Sequence, residues 1–589
     1  MLGIDKLNLS SLAKQLMGKK KLYWISFIIG VVSGIAALIL KNLIHFIGER
    51  LVGYFVISSG KYWFLAFPLI GILITVLIVR YLVKDDLSHG VSKILAAISL
   101  NKGKIKPHNS FSSMITSSFT IGFGGSVGAE APVVLTGASI GSNLARFFKL
   151  DQAEIMLMIG CGATGAIAGI FKAPIAGVVF TLEVLMLDLT MASLVPLLIS
   201  GITSAVIAYY FMGDAVLFKF SVIHTFEAVQ IPYYILAGVF AGFLSLYFTR
   251  VAMSVEKKMK SIKKQSVRLI YGGIALGVLI FLFPPLWGEG YSSINKVFND
   301  MGHNLLDNSL FYDFGDNPWF FAAFLMALLL VKVVAMAITT ASGGIGGIFA
   351  PTLFVGAVGG YFLAYSLNLV FGLNLPLDNF ALAGMGAMMA GVMHAPLLGI
   401  FLTAELTGGY ELLFPLIIAA LAAYITIMRF EPHSIYTKRL AEDGKLVTHN
   451  KDRAVLHFME VGELIETDLK IIDPEATLGD LVKSISKSKR DLFPVVDHDG
   501  MLKGMVKMND IRNLIFKQEL YDKIHVKDLM YMPEYYISPK DSMHVVAEKF
   551  ETSGRFNLAV IDQGKYIGFI SRAKVFSIYR NTVRTFSYD

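Results

Sequence analysis

Two glycine-rich runs of nine residues constrain the fold of this chain more than any other feature. The run GGSVGAEAP at residues 124–132 recurs as GGIGGIFAP at 343–351, so that Gly128 corresponds to Gly347. A second pair of segments, ending at Glu183 and Glu405, recurs at nearly the same offset. The sequence therefore predicts two repeats, at about residues 30–215 and 230–430, as in transporters that build their site between related halves.

The composition indicates that these repeats lie in a membrane. Of the 589 residues, 55% are hydrophobic and 16% are charged, whereas soluble proteins carry about 25% charged residues. Many apolar segments are too short, or too interrupted by glycine, for the roughly 20 residues of helix that cross a bilayer. Such broken helices are tolerated where their free backbone groups line a cavity or are buried in protein. The alternative is that the glycines serve only close helix packing.

The distribution of lysine and arginine predicts the orientation of the chain. Lysines precede the apolar run 22–40, which we interpret as a retained first helix, and basic residues crowd the loop 257–268. The loop 287–319 is acidic instead. By the positive-inside rule we expect the N-terminus and the charged C-terminal tail in the cytoplasm and the acidic loop outside, in a plasma or inner membrane. The net charge of +8 is then a matter of topology, and no nucleic-acid partner is predicted.

Glu130 is the candidate functional residue of the first glycine-rich run. It is the single ionisable side chain between residues 111 and 145, and a carboxylate isolated in an apolar stretch is costly. The helix that each run opens has free N–H groups and a positive dipole end, which bind anions. A site made of dipoles and hydroxyls can hold an anion weakly enough to release it.

At these motifs the chain resembles the CLC family of chloride channels and transporters. Family motif GIFAP stands intact at 347–351, GREGP appears as GAEAP at 128–132, and the late tyrosine of the family falls on Tyr436. Family motif GSGIP is matched poorly by SHGVS at 88–92. The resemblance covers about residues 20–440 and implies an all-α polytopic membrane domain with two inverted repeats and broken helices, assigned to residues 1–440. It also implies a homodimer with one anion pathway per subunit in the lipid bilayer.

The resemblance further implies roles for particular residues. Glu130 would be the gate, because its carboxylate can occupy an anion site itself. The chloride ligands would be groups at His89, Gly90, Ile348, Phe349 and Tyr436. His89 replaces the serine of the family, so two alternatives stay open: the imidazole contacts the anion, or it is a cytoplasm-facing histidine bonded to backbone.

Coupling to protons depends in this family on a second glutamate near the cytoplasmic face. The alignment puts that proton-relay position on Val184, beside Glu183. Because valine carries no proton, we expect a Glu130-gated chloride channel, with a Cl⁻/H⁺ antiporter that uses an unconventional proton path as the alternative. Glu183 and its repeat mate Glu405 are expected to be structural. Equivalent residues Lys172 and His394 are expected to be interface or cap residues.

The charged tail repeats itself and resembles a pair of CBS modules, which are α+β domains. A linker is predicted at 441–460, and the modules at 461–518 and 526–581. In such pairs an adenine nucleotide (ATP, ADP or AMP) meets a hydroxyl residue and an aspartate. The first module keeps Asp510 with Lys507 at the hydroxyl position, and the second keeps Ser571 with Lys574 at the aspartate position. Nucleotide binding and a dimerising or stabilising role therefore both stay open.

Two other classes of function fit the sequence less well. A CBS-regulated cation transporter would need clustered carboxylates, whereas the glycine-rich segments offer isolated ones beside helix N-termini. A membrane-bound enzyme would need a catalytic cluster, and the sequence has no nucleophile elbow, P-loop or His/Asp cluster. We therefore expect no enzymatic activity, no metal and no required cofactor, with chloride and similar small inorganic anions as ligands.

Overall fold

The structure is a computed structural model that describes residues 9–53, 61–87, 89–187, 191–213, 217–218, 220, 225–299, 301–442, 459, 461–488 and 490–586. Ser88 of the SHGVS motif and most of the predicted linker, residues 443–458 and 460, lie outside the described residues. The chain folds as two compact units, Met1–Leu446 and Val447–Asp589. Each unit is considered by itself.

The described part of the first unit is helical throughout, which confirms the predicted all-α class. Its helices, in chain order, are α1 (Leu9–His45), α2 (Phe67–Leu77), α3 (Gly90–Leu100), α4 (Ser112–Gly122), α5 (Glu130–Phe147), α6 (Gln152–Phe171), α7 (Pro174–Glu183), α8 (Met191–Met212), α9 (Ile231–Lys260), α10 (Gln265–Leu282), α11 (Tyr291–Phe298), α12 (Pro318–Ala341), α13 (Phe349–Phe371), α14 (Leu377–Met393), α15 (Pro396–Thr407), α16 (Leu413–Met428) and α17 (Ile435–Glu442). π-helical turns follow α1 at Phe46–Val52 and α2 at Ile78–Val83.

This unit contains both long and short helices. Within the described residues, seven helices are long and apolar enough to cross a membrane. Others are apolar but shorter, among them α3, α7 and α15, with 11, 10 and 12 residues. A helix of 10 residues rises only about 15 Å, roughly half of a bilayer core. Helices therefore begin and end inside the protein, as the glycine-rich runs predicted.

The two repeats have equivalent helices that pack in the same way. Helix α5 lies against α6 in the first repeat, as α13 lies against α14 in the second. A Cβ on Gly137 would meet the carbonyl of Gly162, and a Cβ on the equivalent Gly356 would meet that of Gly384. Only glycine allows this approach of the two backbones. Close packing thus explains these glycines, whereas those at 128 and 347 belong to the site described below.

The sharp turns between α6 and α7 and between α14 and α15 are also equivalent. Lys172 ends α6 with a φ of 57°, and His394 ends α14 with a φ of 55°. In both places an Ala-Pro pair then starts the next short helix. Lys172 and His394, expected to be interface or cap residues, are both helix C-caps.

The second unit contains two successive groups of helices and strands, at the positions of the two predicted CBS modules. The first module contains α18 (Val461–Leu464), α19 (Leu478–Ser486), β1 (Leu492–Val496), β2 (Leu502–Lys507) and α20 (Met508–Ile511). The second contains β3 (Tyr536–Ile537), α21 (Met543–Ser553), β4 (Asn557–Asp562), β5 (Lys565–Ser571) and α22 (Arg572–Phe586). β1 pairs antiparallel with β2, and β4 pairs parallel with β3 and antiparallel with β5. The α+β prediction for the tail is confirmed.

Candidate functional site

The N-termini of α5 and α13 meet at the two glycine-rich runs. Gly128 N–H donates to the carbonyl of Gly347 at 2.9 Å, and Gly347 N–H donates back to the carbonyl of Gly128 at 2.6 Å. Reciprocal bonds between equivalent residues are those of a two-fold relation, here between the two repeats. The two helix starts are thereby held side by side, each with N–H groups that have no acceptor within the helix.

Glu130 lies at this junction and is fully buried. Its carboxylate fills the space beside Gly128, because a Cβ on Gly128 would overlap it, and a Cβ on Gly347 would lie 3.3 Å from its Oε2. Glycine is therefore required at position 128 for the carboxylate to take this place. The carboxyl group of Glu130 thus lies where the N-terminal ends of two helices, which favour negative charge, converge.

Two further polar side chains, Tyr291 and Glu289, lie at this junction, and Lys332 holds the segment before them; no sequence motif predicted these residues. The hydroxyl of Tyr291 donates to Glu130 Oε1. Glu289 Oε1 accepts the N–H of Ala129 at 3.0 Å, although the sequence placed Glu289 among the charges of an outside loop. Lys332, in the middle of α12, is fully buried and donates to the carbonyls of Leu286 and Gly288.

A small cavity brings several of the predicted anion ligands together. It is lined by His89, Gly90, Val91, Ala131, Thr340, Gly346, Gly347, Ile348, Tyr436 and Arg439. Gly90 is the first residue of α3. A Cβ on Gly90 would lie 2.8 Å from the carbonyl oxygen of Ala131, so glycine is needed for this approach of α3 to α5. Ile348 is the N-cap of α13. Phe349 is the first residue of that helix and its ring packs 5.6 Å from the ring of Phe180.

Tyr436 contributes a buried hydroxyl to this cavity. The residue is 3% exposed, and its hydroxyl has no hydrogen-bond partner among the described residues. The backbone carbonyl of Tyr436 accepts from Ser92 at 3.3 Å, which ties the start of α17 to α3. A buried hydroxyl without a partner is costly. A chloride in the cavity is a partner that would remove this cost.

The His89 side chain has a partner that neither of the two predicted alternatives included. His89 precedes α3 with a φ of 55°, and its Nε2 lies 2.6 Å from Glu256 Oε1. The expectation of a bond to backbone is therefore wrong for Nε2. Glu256 also accepts from Lys260 at 2.6 Å and from Arg439 at 2.9 Å. His89 thus belongs to a charged network at one end of the cavity.

Glu183 and Glu405 cap each other's short helices. Glu183 accepts the N–H groups of Leu397 and Leu398 at 3.1 and 2.8 Å, at the start of α15. Glu405 accepts those of Ile175 and Ala176 at 3.1 and 2.7 Å, at the start of α7. Their expected structural role is confirmed in this reciprocal form. Val184 follows directly after α7 and is 3% exposed.

In the second unit the two predicted nucleotide residues differ in their surroundings. Asp510 is exposed. The hydroxyl of Ser571 donates to Glu466 Oε1 at 2.5 Å. Glu466 Oε2 in turn accepts from Arg490 at 3.1 Å, and hydrogen bonding to Asp468, opposed by slight burial, raises the pKa of Arg490. Sequence reasoning missed Glu466, which lies in a different module from Ser571.

The missed residues gave unequal signals in the sequence. Lys332 is a lone lysine in a 24-residue apolar helix, so the criterion that singled out Glu130 would have found it. Glu256 lies among the lysines at the end of α9. Glu289 lies in the turn before α11 and Tyr291 is the first residue of that helix, and neither belongs to a sequence motif. Only the folded chain brings these three residues to the cavity and the gate.

Comparison with known proteins identifies the family. The family model described as voltage gated chloride channel matches residues 70–427, and the CBS domain model matches 461–517 and 526–581. A putative chloride channel protein ClcB-like from Ralstonia nicotianae is 29% identical over 383 residues, 64% of this chain and 85% of the relative. The voltage-gated ClC-type chloride channel ClcB of Salmonella typhimurium is 30% identical over 326 residues, 54% of this chain and 73% of that protein.

Solved structures agree with this fold. A slow cyanobacterial Cl⁻/H⁺ antiporter superposes with a TM-score of 0.63 and 22% identity, over 72% of this chain and 97% of that structure. A eukaryotic CLC transporter has a TM-score of 0.61 and 17% identity, over 95% of this chain and 98% of that structure. From its family match and its fold, this multi-pass membrane protein belongs to the CLC family of voltage-gated chloride channels, carries a tandem CBS pair, and performs chloride transport of the CLC type.

Proposed function

We propose that this chain conducts chloride and similar small inorganic anions down their gradient, through a pathway that Glu130 opens and closes. One observation carries the proposal: the buried Glu130 carboxylate lies where the N-termini of α5 and α13 converge. Those helix ends favour a negative charge. A carboxylate in that place competes with a permeating anion, and its departure or its protonation frees the site.

The cavity beside the gate is proposed as the central anion site. The N–H group of Ile348, which lines the cavity, that of Phe349, which follows it at the start of α13, and the hydroxyl of Tyr436 would donate to the anion, with Gly90 allowing α3 to approach. None of these donors carries a full charge, which favours release as well as binding. His89 would act through Glu256 and Arg439, as part of a charged network at the mouth of the site.

We propose channel-like conduction rather than proton exchange. The proton-relay position holds Val184, which is buried and apolar. Its neighbour Glu183 is engaged by two backbone N–H groups of α15, and releasing it would leave both donors without an acceptor. Two similar proteins are named chloride channels. The antiporter reading would need a proton route that uses neither residue.

The remaining features of the proposal follow from the family and the charge pattern. The membrane domain is taken as 1–440, the linker as 441–460, and the CBS modules as 461–518 and 526–581. The protein would be a homodimer in the plasma or inner membrane, with the N-terminus and the CBS pair in the cytoplasm. Adenine nucleotide is a proposed ligand of the CBS pair, and no cofactor is required for transport.

The test of the gate is Glu130→Gln in proteoliposomes. Glutamine has the shape of the protonated glutamate and no charge, so we expect chloride efflux to rise and its dependence on pH to become weaker. Glu49→Gln removes an exposed carboxylate elsewhere, since the Glu49 side chain is 70% exposed, and serves as the matched control. Unchanged efflux and an unchanged pH profile in Glu130→Gln would refute the assignment of the gate.

A further inference from the structure

A second carboxylate shares the site of the gate. Glu289 accepts the N–H of Ala129, the residue directly before α5, at 3.0 Å. That N–H is one of the free donors that make the start of α5 attractive to anions. Both Glu130 and Glu289 therefore act on the same helix end, one from within α5 and the other from the segment before α11.

Tyr291 is held rigidly in a position to reach Glu130. Gly290 turns the chain with a φ of 85°, and an ideal Cβ there would lie 2.6 Å from the ring of Phe354. The ring of Tyr291 packs edge-on against Phe218, with centroids 5.6 Å apart. Its hydroxyl donates to Glu130 Oε1. The phenol is thus placed by packing, and the hydrogen bond needs little further ordering of the side chain.

Lys332 anchors the segment that carries both residues. Its Nζ donates to the carbonyls of Leu286 and Gly288, at 3.3 and 3.2 Å, and lies 4.9 Å from the ring centroid of Phe354. Gly288 N–H donates to Gly124 of the first glycine-rich run at 3.4 Å. We call residues 286–291 the clamp segment. It is fixed on one side to α12 and on the other to the run that opens α5.

We propose that the clamp segment regulates the gate: Tyr291 latches the Glu130 carboxylate in its closed place, and Glu289 occupies the Ala129 N–H as a second carboxylate in competition with the anion. The proposal rests on the proposed role of Glu130 as the gate. Tyr291 and Glu289 are positioning residues in this scheme. To open, Glu130 must give up its bond to Tyr291, and an incoming anion must displace Glu289.

The charged groups around Glu289 make its effect on the gate sensitive to pH. Glu289 interacts electrostatically with Glu130 on α5, Lys41 on α1 and Lys332 on α12, and Tyr291 faces both carboxylates. When Glu289 is protonated, its hold on the Ala129 N–H weakens because the acceptor loses its charge. Glu289→Gln therefore imitates the protonated state. The difference between Glu289→Gln and the parent should disappear at pH values low enough to protonate Glu289 in the parent.

The latch is tested by a double-mutant cycle on chloride efflux. Tyr291→Phe removes the hydroxyl and keeps the ring against Phe218, so we expect efflux to rise roughly tenfold, the scale of one hydrogen bond to a charged group. In a Glu130→Gln background the same change should have little effect, because the charged acceptor is gone. Tyr247→Phe removes a hydroxyl that bonds to Leu330 on α12 and is the control. Parent efflux in Tyr291→Phe, or an equal rise in both backgrounds, overturns the latch.

The effect expected of Glu289→Gln, unlike that of Tyr291→Phe, persists in the Glu130→Gln background. Glu289→Gln should raise efflux at neutral pH in the parent and still raise it in Glu130→Gln, since it acts on the N–H of Ala129. At low pH the variant and the parent should converge. Equal efflux at every pH overturns this part, provided that thermal unfolding and gel filtration show the variant to be folded. If Glu130→Gln alone leaves efflux and its pH profile unchanged, the gate fails; if it acts but Tyr291→Phe does not, only the latch fails.

Discussion

Tyr436→Phe removes one oxygen atom from the centre of the proposed anion site. The hydroxyl is buried and has no hydrogen-bond partner among the described residues. In the anion-free protein its removal relieves an unsatisfied polar group, so the variant should be as stable as the parent or slightly more so. With chloride bound the hydroxyl donates to a charge, and its removal costs binding energy. The two states therefore respond in opposite directions.

The size of the effect follows from the kind of bond. A hydrogen bond to a charged group contributes about 1.5–3 kcal/mol, which corresponds to roughly a 10- to 150-fold loss of chloride or bromide affinity. Backbone donors at Ile348 and Phe349 remain, so binding is weakened rather than abolished. Stabilisation by saturating anion depends on the logarithm of concentration over Kd. The stabilisation by chloride should therefore be smaller in the variant by the same free energy, and the chloride-dependent rise in the unfolding temperature should be smaller too.

Titration calorimetry with bromide and thermal unfolding with and without chloride measure both consequences. Tyr247→Phe again serves as the control, because its hydroxyl bonds to the carbonyl of Leu330 at 3.0 Å. Equal bromide affinity in Tyr436→Phe and the parent would refute the assignment of this hydroxyl to the anion. A variant destabilised equally with and without chloride would show that the hydroxyl serves the fold instead.

Two other predictions concern the helix caps and the CBS pair. Glu183→Ala should destabilise the protein by about 2–3 kcal/mol, because two N–H groups of α15 lose a charged acceptor; a thermal midpoint equal to that of the parent would contradict the cap. Glu405→Ala should behave alike, since it makes the equivalent bonds to α7. Equilibrium dialysis of the full chain should show ATP binding that Asp510→Ala weakens more than Ser571→Ala, because Glu466 already engages the Ser571 hydroxyl. Equal losses would contradict that ranking, and no binding at millimolar ATP would leave the pair structural.

The repeat architecture could be predicted because it depends on short sequence patterns that recur in both halves of the membrane domain. Gly128 and Gly347 are equivalent in the sequence and bond to each other in the structure. The positions of Lys172 and His394 before Ala-Pro likewise predicted two equivalent residues with an interface or cap role, and both end a helix. Backbone geometry of this kind depends on a few neighbouring residues, chiefly glycine and proline, whose conformational limits are strong.

The partners of the site residues could not be predicted in the same way. Tyr291 reaches Glu130 across 161 residues, and Glu256 reaches His89 across 167. Neither contact lies within a repeat pattern, and a single tyrosine or glutamate in a loop or at a helix end has many ordinary uses. Such pairs depend on how whole helices pack. Lys332 is the exception, because a lysine inside an apolar helix is itself a signal.

The central claim is that chloride moves without stoichiometric proton transport, and one measurement tests it directly. Proteoliposomes containing the parent protein receive a chloride gradient, with the voltage clamped by valinomycin and potassium, while the internal pH is followed. We expect chloride to run down its gradient with no sustained uphill movement of protons, because the relay position holds buried Val184 and Glu183 is engaged by α15. Sustained uphill proton transport at a fixed ratio to chloride, abolished by Glu130→Gln, would contradict the channel account and make the protein an exchanger.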